Sequence, residues 1–170
     1  MTYKGKYRPI NVSKYKGDPT NVVYRSGWER YCFAWLDKNA NVKEWSSEEV
    51  VVPYYYDVDK KYHRYYVDLK FTTNEGKTYI IEVKPAKETA PPKKPDKSKR
   101  YITEALTYVK NKNKWEAAIK YALDRNWIFE IWTEKTLVDM GIMPKQSDKA
   151  LKPLKPLKPF RKAAKKKPVK

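Results

Sequence analysis

Residues 78–84 read Thr-Tyr-Ile-Ile-Glu-Val-Lys, a short apolar run with the β-branched and aromatic content of a buried strand. Its end constrains the fold more than any other part of the chain. Side chains two apart on a strand share a face, so Glu82 and Lys84 project together from an element that otherwise belongs in a core. Upstream, the stretch from Tyr62 to Thr72 alternates and reads as one strand, with Tyr65, Val67, Leu69 and Phe71 on one face and Tyr66, Asp68 and Lys70 on the other. The turn between the two segments decides which residues meet, because a one-residue change of register flips every side chain.

A two-residue turn at Glu75-Gly76 pairs Asp68 with Val83 and separates the carboxylates. A three-residue loop Asn74-Glu75-Gly76, with Gly76 in the left-handed conformation, pairs Thr73 with Lys77 and therefore Asp68 with Glu82. Asn opens type I turns well and Gly accepts the positive φ, which favours the second loop. Asp68, Glu82 and Lys84 then share one face, with Tyr66 opposite Lys84, while Tyr79, Ile81 and Val83 form the packed face.

Carboxylates directly opposite on paired strands repel. A hard divalent cation offsets the repulsion, and Mg²⁺, with Mn²⁺ as a substitute, prefers such oxygen ligands and keeps open positions for a phosphate. One cysteine, Cys32, and one histidine, His63, cannot supply a zinc site of three or four N or S ligands. Lys84 beside the metal would orient or help deprotonate a water, or steady phosphate charge. The competing reading is a Glu82–Lys84 surface ion pair with Asp68 a bystander. Glu29 could reach the same metal, or close a capping box on Ser26.

Ser26 opens a helix signal in which Trp28, Tyr31, Cys32, Trp35 and Leu36 form one stripe ending near Asn39. Residues 48–56 read as an edge strand, since Pro53 cannot donate to a ladder. Residues 98–124 read as helical, with Ile102, Ala105, Leu106 and Val109, then Trp115, Ala118, Ile119 and Ala122, at helical spacing and a break expected at the Asn-Lys-Asn-Lys segment. Residues 127–133 form a last strand, and a helical turn from Glu134 stops at Gly141. The order αβββαβ gives an α/β fold, a small mixed sheet with helices against it.

The net charge is +18, from 38 basic and 20 acidic residues, a balance that calls for a polyanionic partner such as DNA. More than half of the excess lies in residues 144–170, with 11 basic side chains and one acidic, expected to be disordered when free. Three domains of organisation follow: a basic arm over 1–20, the folded body over 21–143 and this tail. Its Leu-Lys-Pro triplets would set Leu151, Leu154, Leu157 and Phe160 on one polyproline ridge, a docking ligand, or serve simply as a basic DNA-binding tail. No apolar run of spanning length and no secretory signal is present, so a soluble, unexported chain is expected. Candidate DNA contacts are Tyr66, the loop residues Lys87, Lys93, Lys94, Lys99 and Arg100, and Lys114. His63 suits a phosphate contact or a plain surface role.

Glu29 on a leading helix, Asp68 on a strand and Glu82-Val83-Lys84 on the next resemble the PD-(D/E)xK nuclease superfamily, which includes restriction endonucleases and TnsA-type transposon endonucleases; Val67 stands where that pattern has Pro. The stretches KYKGDPTNVVYRSGWE, WSSEEVVVPY, HRYYVDLKF, IIEVKPAKETAPPKK and KWEAAIKYALDRNWIFEIWTE resemble the head completion nucleases of T-even-type tailed phages over residues 3–134. The resemblance implies Glu29, Asp68 and Glu82 as ligands of Mg²⁺ and Lys84 as the catalytic lysine. It also implies an endonuclease, with exonuclease trimming of packaged DNA, that is made in the host cytoplasm, joins the virion and meets phage head, portal or neck proteins when heads are joined to tails. The alternative is a catalytically silent descendant that binds DNA and the capsid.

Overall fold

A computed structural model describes residues 3–93 and 98–145. The chain runs β1 (Gly5–Tyr7), β2 (Val22–Tyr24), α1 (Gly27–Lys38), β3 (Val42–Ser47), β4 (Val51–Tyr56), β5 (Lys61–Tyr66), β6 (Leu69–Thr73), β7 (Thr78–Val83), α2 (Lys99–Leu123), β8 (Ile128–Trp132) and α3 (Glu134–Asp139). The Leu-Lys-Pro repeat, Lys94 and Lys97 lie outside the described residues. No helix among those described is long and apolar enough to cross a membrane.

The hairpin between β6 and β7 has the expected three-residue loop. Gly76 sits at φ +84°, its amide donates to the Thr73 carbonyl at 2.9 Å, and the Thr73 amide donates to the Lys77 carbonyl at 2.8 Å. The ladder pairs Leu69 with Ile81 and Thr72 with Thr78, the register expected of that loop, and Asp68 lies one residue before its first pair.

Four strands form a mixed sheet in the order β3-β6-β7-β8. The β3–β6 and β6–β7 pairs are antiparallel, and β7–β8 is parallel, joined by the α2 crossover. On one side, Cys32, Phe33 and Leu36 of α1 pack with Trp45, Leu69, Phe71, Ile81 and Trp132. On the other, Ala118 and Ala122 of α2 pack with Ile80 and with Val52, Tyr54, Tyr65 and Val67. β7 is therefore apolar on both faces. Its Ile80 is as fully enclosed as Ile81, which corrects the expectation of one packed and one purely chemical face.

The αβββαβ order holds, but different strands fill it. β3 is an element the sequence pattern does not announce, because Lys43, Glu44, Ser46 and Ser47 mask the buried Val42 and Trp45. The expected single strand from Tyr62 to Thr72 is two strands in different sheets. β5 pairs with β4 as a separate two-stranded ribbon, which ends where the Val67 amide donates to the Val50 carbonyl at 3.0 Å; β6 then enters the main sheet. Burial of Tyr65, Val67, Leu69 and Phe71 continues across the break, so the alternation carried no sign of it.

α1 begins and ends as expected, with Ser26 as N-cap and Asn39 as C-cap, but Phe33 and Asp37 are buried while Tyr31 is exposed. α2 is one continuous helix. Asn113 stabilises its middle: the Asn113 Nδ2 donates to Asp57 Oδ2 at 2.7 Å and its Oδ1 accepts from the Asp57 amide at 3.1 Å. Ile102, Leu106 and Ile119, read as part of its stripe, are exposed; Asn111, Trp115, Ala118 and Ala122 make the inward face. Residues 5–14 lie on the body, since the Tyr7 hydroxyl and the Ile10 and Asn11 amides all donate to the buried Asp37 carboxylate at 2.7–3.0 Å.

Candidate active site

The C-terminal end of β7 brings the charged residues together. Glu82 is only 3% exposed. Its Oε2 accepts a 2.6 Å bond from the Tyr65 hydroxyl, and its Oε1 lies 3.1 Å from Lys84 Nζ. Asp68 stands where the chain leaves the ribbon for β6, and its Oδ2 accepts the Val83 amide at 2.8 Å. Lys84 is fixed from behind, its own amide donating to the Trp132 carbonyl on β8 at 3.0 Å. This is a buried constellation, so the Glu82–Lys84 pair is not the solvated surface pair of the competing reading.

Burial, the nearby Glu82 charge and a smaller effect of Glu29 hold the Asp68 pKa well above the ordinary carboxylate range, and the Val83 amide offsets this only in part. Burial works against the charge of Lys84, but Glu82 and Asp68 outweigh it and raise the lysine pKa. Lys84 is thus held as an ammonium, suited to donating a hydrogen bond rather than taking a proton.

Glu29 is in the first turn of α1 and half-buried. Its oxygens are engaged: Oε2 accepts the Arg25 amide at 2.8 Å and Oε1 accepts the Ser26 hydroxyl at 3.0 Å, while Ser26 Oγ accepts the Glu29 amide at 3.2 Å. The cap expected at Ser26 is present, closed one residue earlier than in the usual box. Burial raises the Glu29 pKa. Among the described residues no three acidic, His or Cys side chains converge to enclose a cation. Asp68 and Glu82 meet; Glu29 joins them only if its carboxylate leaves the cap.

Two hard oxygen ligands, Glu82 buried and Asp68 half-buried, with Lys84 on Glu82, still fit a divalent cation. Asp68 is held in a state that disfavours its charge, which a bound cation would relieve.

Tyr65 is the residue sequence reasoning missed. The alternation assigned it to the packed face, away from Asp68, and it is packed there; its hydroxyl, however, reaches Glu82 across the α2 side of the sheet. A signal existed, since a tyrosine among aliphatic core positions needs a partner for its hydroxyl. Lys114 of α2 lies over the same ring, Nζ 5.1 Å from its centroid. Burial lowers the Lys114 pKa, opposed by Glu82, and no carboxylate among the described residues pairs with it.

The other candidates divide. Lys87, Lys93 and Arg100 line a groove of about 600 Å³ between the loop after β7 and the first half of α2, and Lys99 is the exposed first residue of that helix. Tyr66 is not opposite Lys84: it pairs with Val51 on the ribbon, because the chain changes sheets two residues later. His63 bonds Asp59 at 2.7 Å, away from the carboxylates.

Residues 39–134 match the family model described as the TnsA-like endonuclease N-terminal domain. The chain is also 42% identical over 146 residues to the head completion nuclease of Enterobacteria phage T4, covering 83% of this chain and 97% of that protein. Asp68, Glu82, Lys84, Tyr65 and Lys114 fall inside the family match; Glu29 lies before it.

Proposed function

We propose that this chain, which belongs to the TnsA-like endonuclease family, is a DNA endonuclease dependent on a divalent cation, Mg²⁺ or Mn²⁺, and works when phage heads are completed and joined to tails. The observation that carries the reading is the bond from the Val83 amide to Asp68 next to the buried Glu82, whose carboxylate meets Lys84 and whose charge acts on Asp68. Asp68 and Glu82 would hold the cation, with Glu29 as a third ligand after release from Arg25 and Ser26. When bound, the cation supplies Lewis-acid stabilisation of the phosphoryl oxygens and an acidified water.

The chain's own groups do the rest. Tyr65 anchors one oxygen of Glu82, so the carboxylate cannot rotate as the substrate arrives. Lys84, fixed by Glu82, donates to a non-bridging phosphoryl oxygen as negative charge builds there. Lys114, a half-buried cation without a carboxylate partner, adds to the same field from the α2 side. Lys87, Lys93, Lys99 and Arg100 would hold the phosphate backbone beyond the site. Residence in the virion, trimming of protruding ends by exonuclease action, and contact with head, portal or neck proteins belong to the same proposal and rest on the likeness to the T4 protein.

The test is cleavage of plasmid and flapped DNA with and without Mg²⁺. Glu82→Ala and Lys84→Ala are expected to lower the rate by at least about a hundredfold while circular dichroism stays native. Full cleavage by either variant removes these residues from the site, and absence of cleavage by the wild-type chain with either metal favours the silent, DNA-binding alternative.

A further inference from the structure

The β4–β5 ribbon turns one face to α2 and leaves the other uncovered. Val52, Tyr54 and Tyr65 point inward. Outward, Tyr55 is 41%, Tyr62 77% and Tyr66 49% exposed, and Arg64 and Pro53 are exposed between them. The pairs Tyr55↔Tyr62, Pro53↔Arg64 and Val51↔Tyr66 put all six on one face. Arg64 has no carboxylate partner among the described residues. The acids of the ribbon's turn are engaged elsewhere, Asp57 with Asn113 and Asp59 with His63.

We propose that this face is a stacking platform for single-stranded DNA that leads an unpaired strand to the Asp68–Glu82 site. The proposal rests on the nuclease reading for the destination of the strand, but not for the binding itself. Three observations select the occupant. The first is spacing: on β5, Tyr62, Arg64 and Tyr66 recur every two residues, about 6.6 Å apart. That is close to twice the 3.4 Å rise of a stacked strand, so Tyr62 and Tyr66, about 13 Å apart, suit bases about four nucleotides apart, with Arg64 midway to meet the phosphate between them.

The second is chemistry, since rings that stack on any base alternate here with a guanidinium that meets phosphate, the combination used for sequence-independent binding of single strands. The third is continuity. The track ends at Tyr66, two residues before Asp68, and Tyr65 of the same strand holds Glu82 from the inner face. One short strand thus carries the platform on one side and a support of the reacting centre on the other. The substrate class that follows is DNA with an unpaired end or flap, without sequence preference.

The experiment is fluorescence anisotropy of the full chain with labelled oligothymidylate and with duplex, in EDTA so that nothing is cut. Tyr62→Ala and Tyr66→Ala are each expected to weaken oligothymidylate binding about tenfold, while Tyr62→Phe and Tyr66→Phe stay within about twofold because the ring is retained. Duplex affinity is expected to change less than about twofold, since phosphate contacts carry it. Unchanged oligothymidylate affinity, equal losses on single strand and duplex, or a loss of self-association in sedimentation instead of DNA binding each overturn the proposal; the last would make the face an interface between copies. Failure of Glu82→Ala to abolish cleavage would overturn the nuclease site and leave this binding result standing.

Discussion

Tyr65 gives Glu82 a neutral donor in a place where water cannot reach. Tyr65→Phe removes that donor without changing packing, so Glu82 keeps Lys84 but loses the bond that orients its second oxygen. Loss of such a support to a metal-binding carboxylate costs about 10–100-fold in metal affinity or activity. Cleavage by Tyr65→Phe is expected to need a higher Mg²⁺ concentration for half its maximal rate, which a titration of metal against rate measures; an unchanged midpoint would show Tyr65 to be packing only. Asp68 makes a second prediction at this scale. Its pKa is raised in the folded chain, so the folded state keeps a proton that the unfolded chain has released above about pH 4. Stability contributed by this group is therefore present at low pH and declines as pH rises through the window between the unfolded and folded values. Asp68→Asn is expected to raise the metal-free Tm at neutral pH by a few degrees, corresponding to ~1 kcal/mol, and to lack the stabilisation by Mg²⁺ that the proposed site predicts for the wild type. Thermal melts at two pH values, with and without metal, check both parts.

The elements place these residues through two junctions, the β6–β7 hairpin and the seam between the ribbon and α2. In the seam, Asn113 bonds both the amide and the carboxylate of Asp57. Asn113→Ala hands the exposed Asp57 groups to water and is expected to cost about 0.5–1.5 kcal/mol, read as a lower urea midpoint, with cleavage reduced because Tyr65 rides on the same ribbon. The hairpin was legible from Asn74 and Gly76 alone, since few loops suit that pair, and with it came the meeting of Asp68 and Glu82. The seam was not. Alternation reports only which residues face inward, and Tyr65, Val67 and Leu69 face inward in whichever sheet they lie. Likewise Asn111 and Asn113 looked like a helix break because their polarity suits solvent; for Asn113, long-range bonding to Asp57 reverses that preference. β3 stayed hidden because its buried Ser46 and Ser47 carry no apolar signal, and Lys114, though a candidate, had no readable facing because nothing local tells which side of α2 meets Tyr65.

At the scale of the whole molecule, the sheet is packed on both sides, and the charged residues gather at the end of β7. The proposed DNA contacts of the ribbon and of the basic groove would approach that end separately. The N-terminal residues enter this plan at α1. All three donors that meet the buried Asp37 carboxylate come from residues 7–11, and Asp37 lies at the far end of the helix that begins beside Glu29. Deleting residues 1–11 strands a negative charge in the interior, a loss of several kcal/mol, and the expected result is a large fall in Tm with loss of cleavage. A proteolytic cut behind residue 11 is expected to have the same effect only once the released stretch leaves β2 and Asp37, so that a contact remote from β7 sets the stability of the whole body.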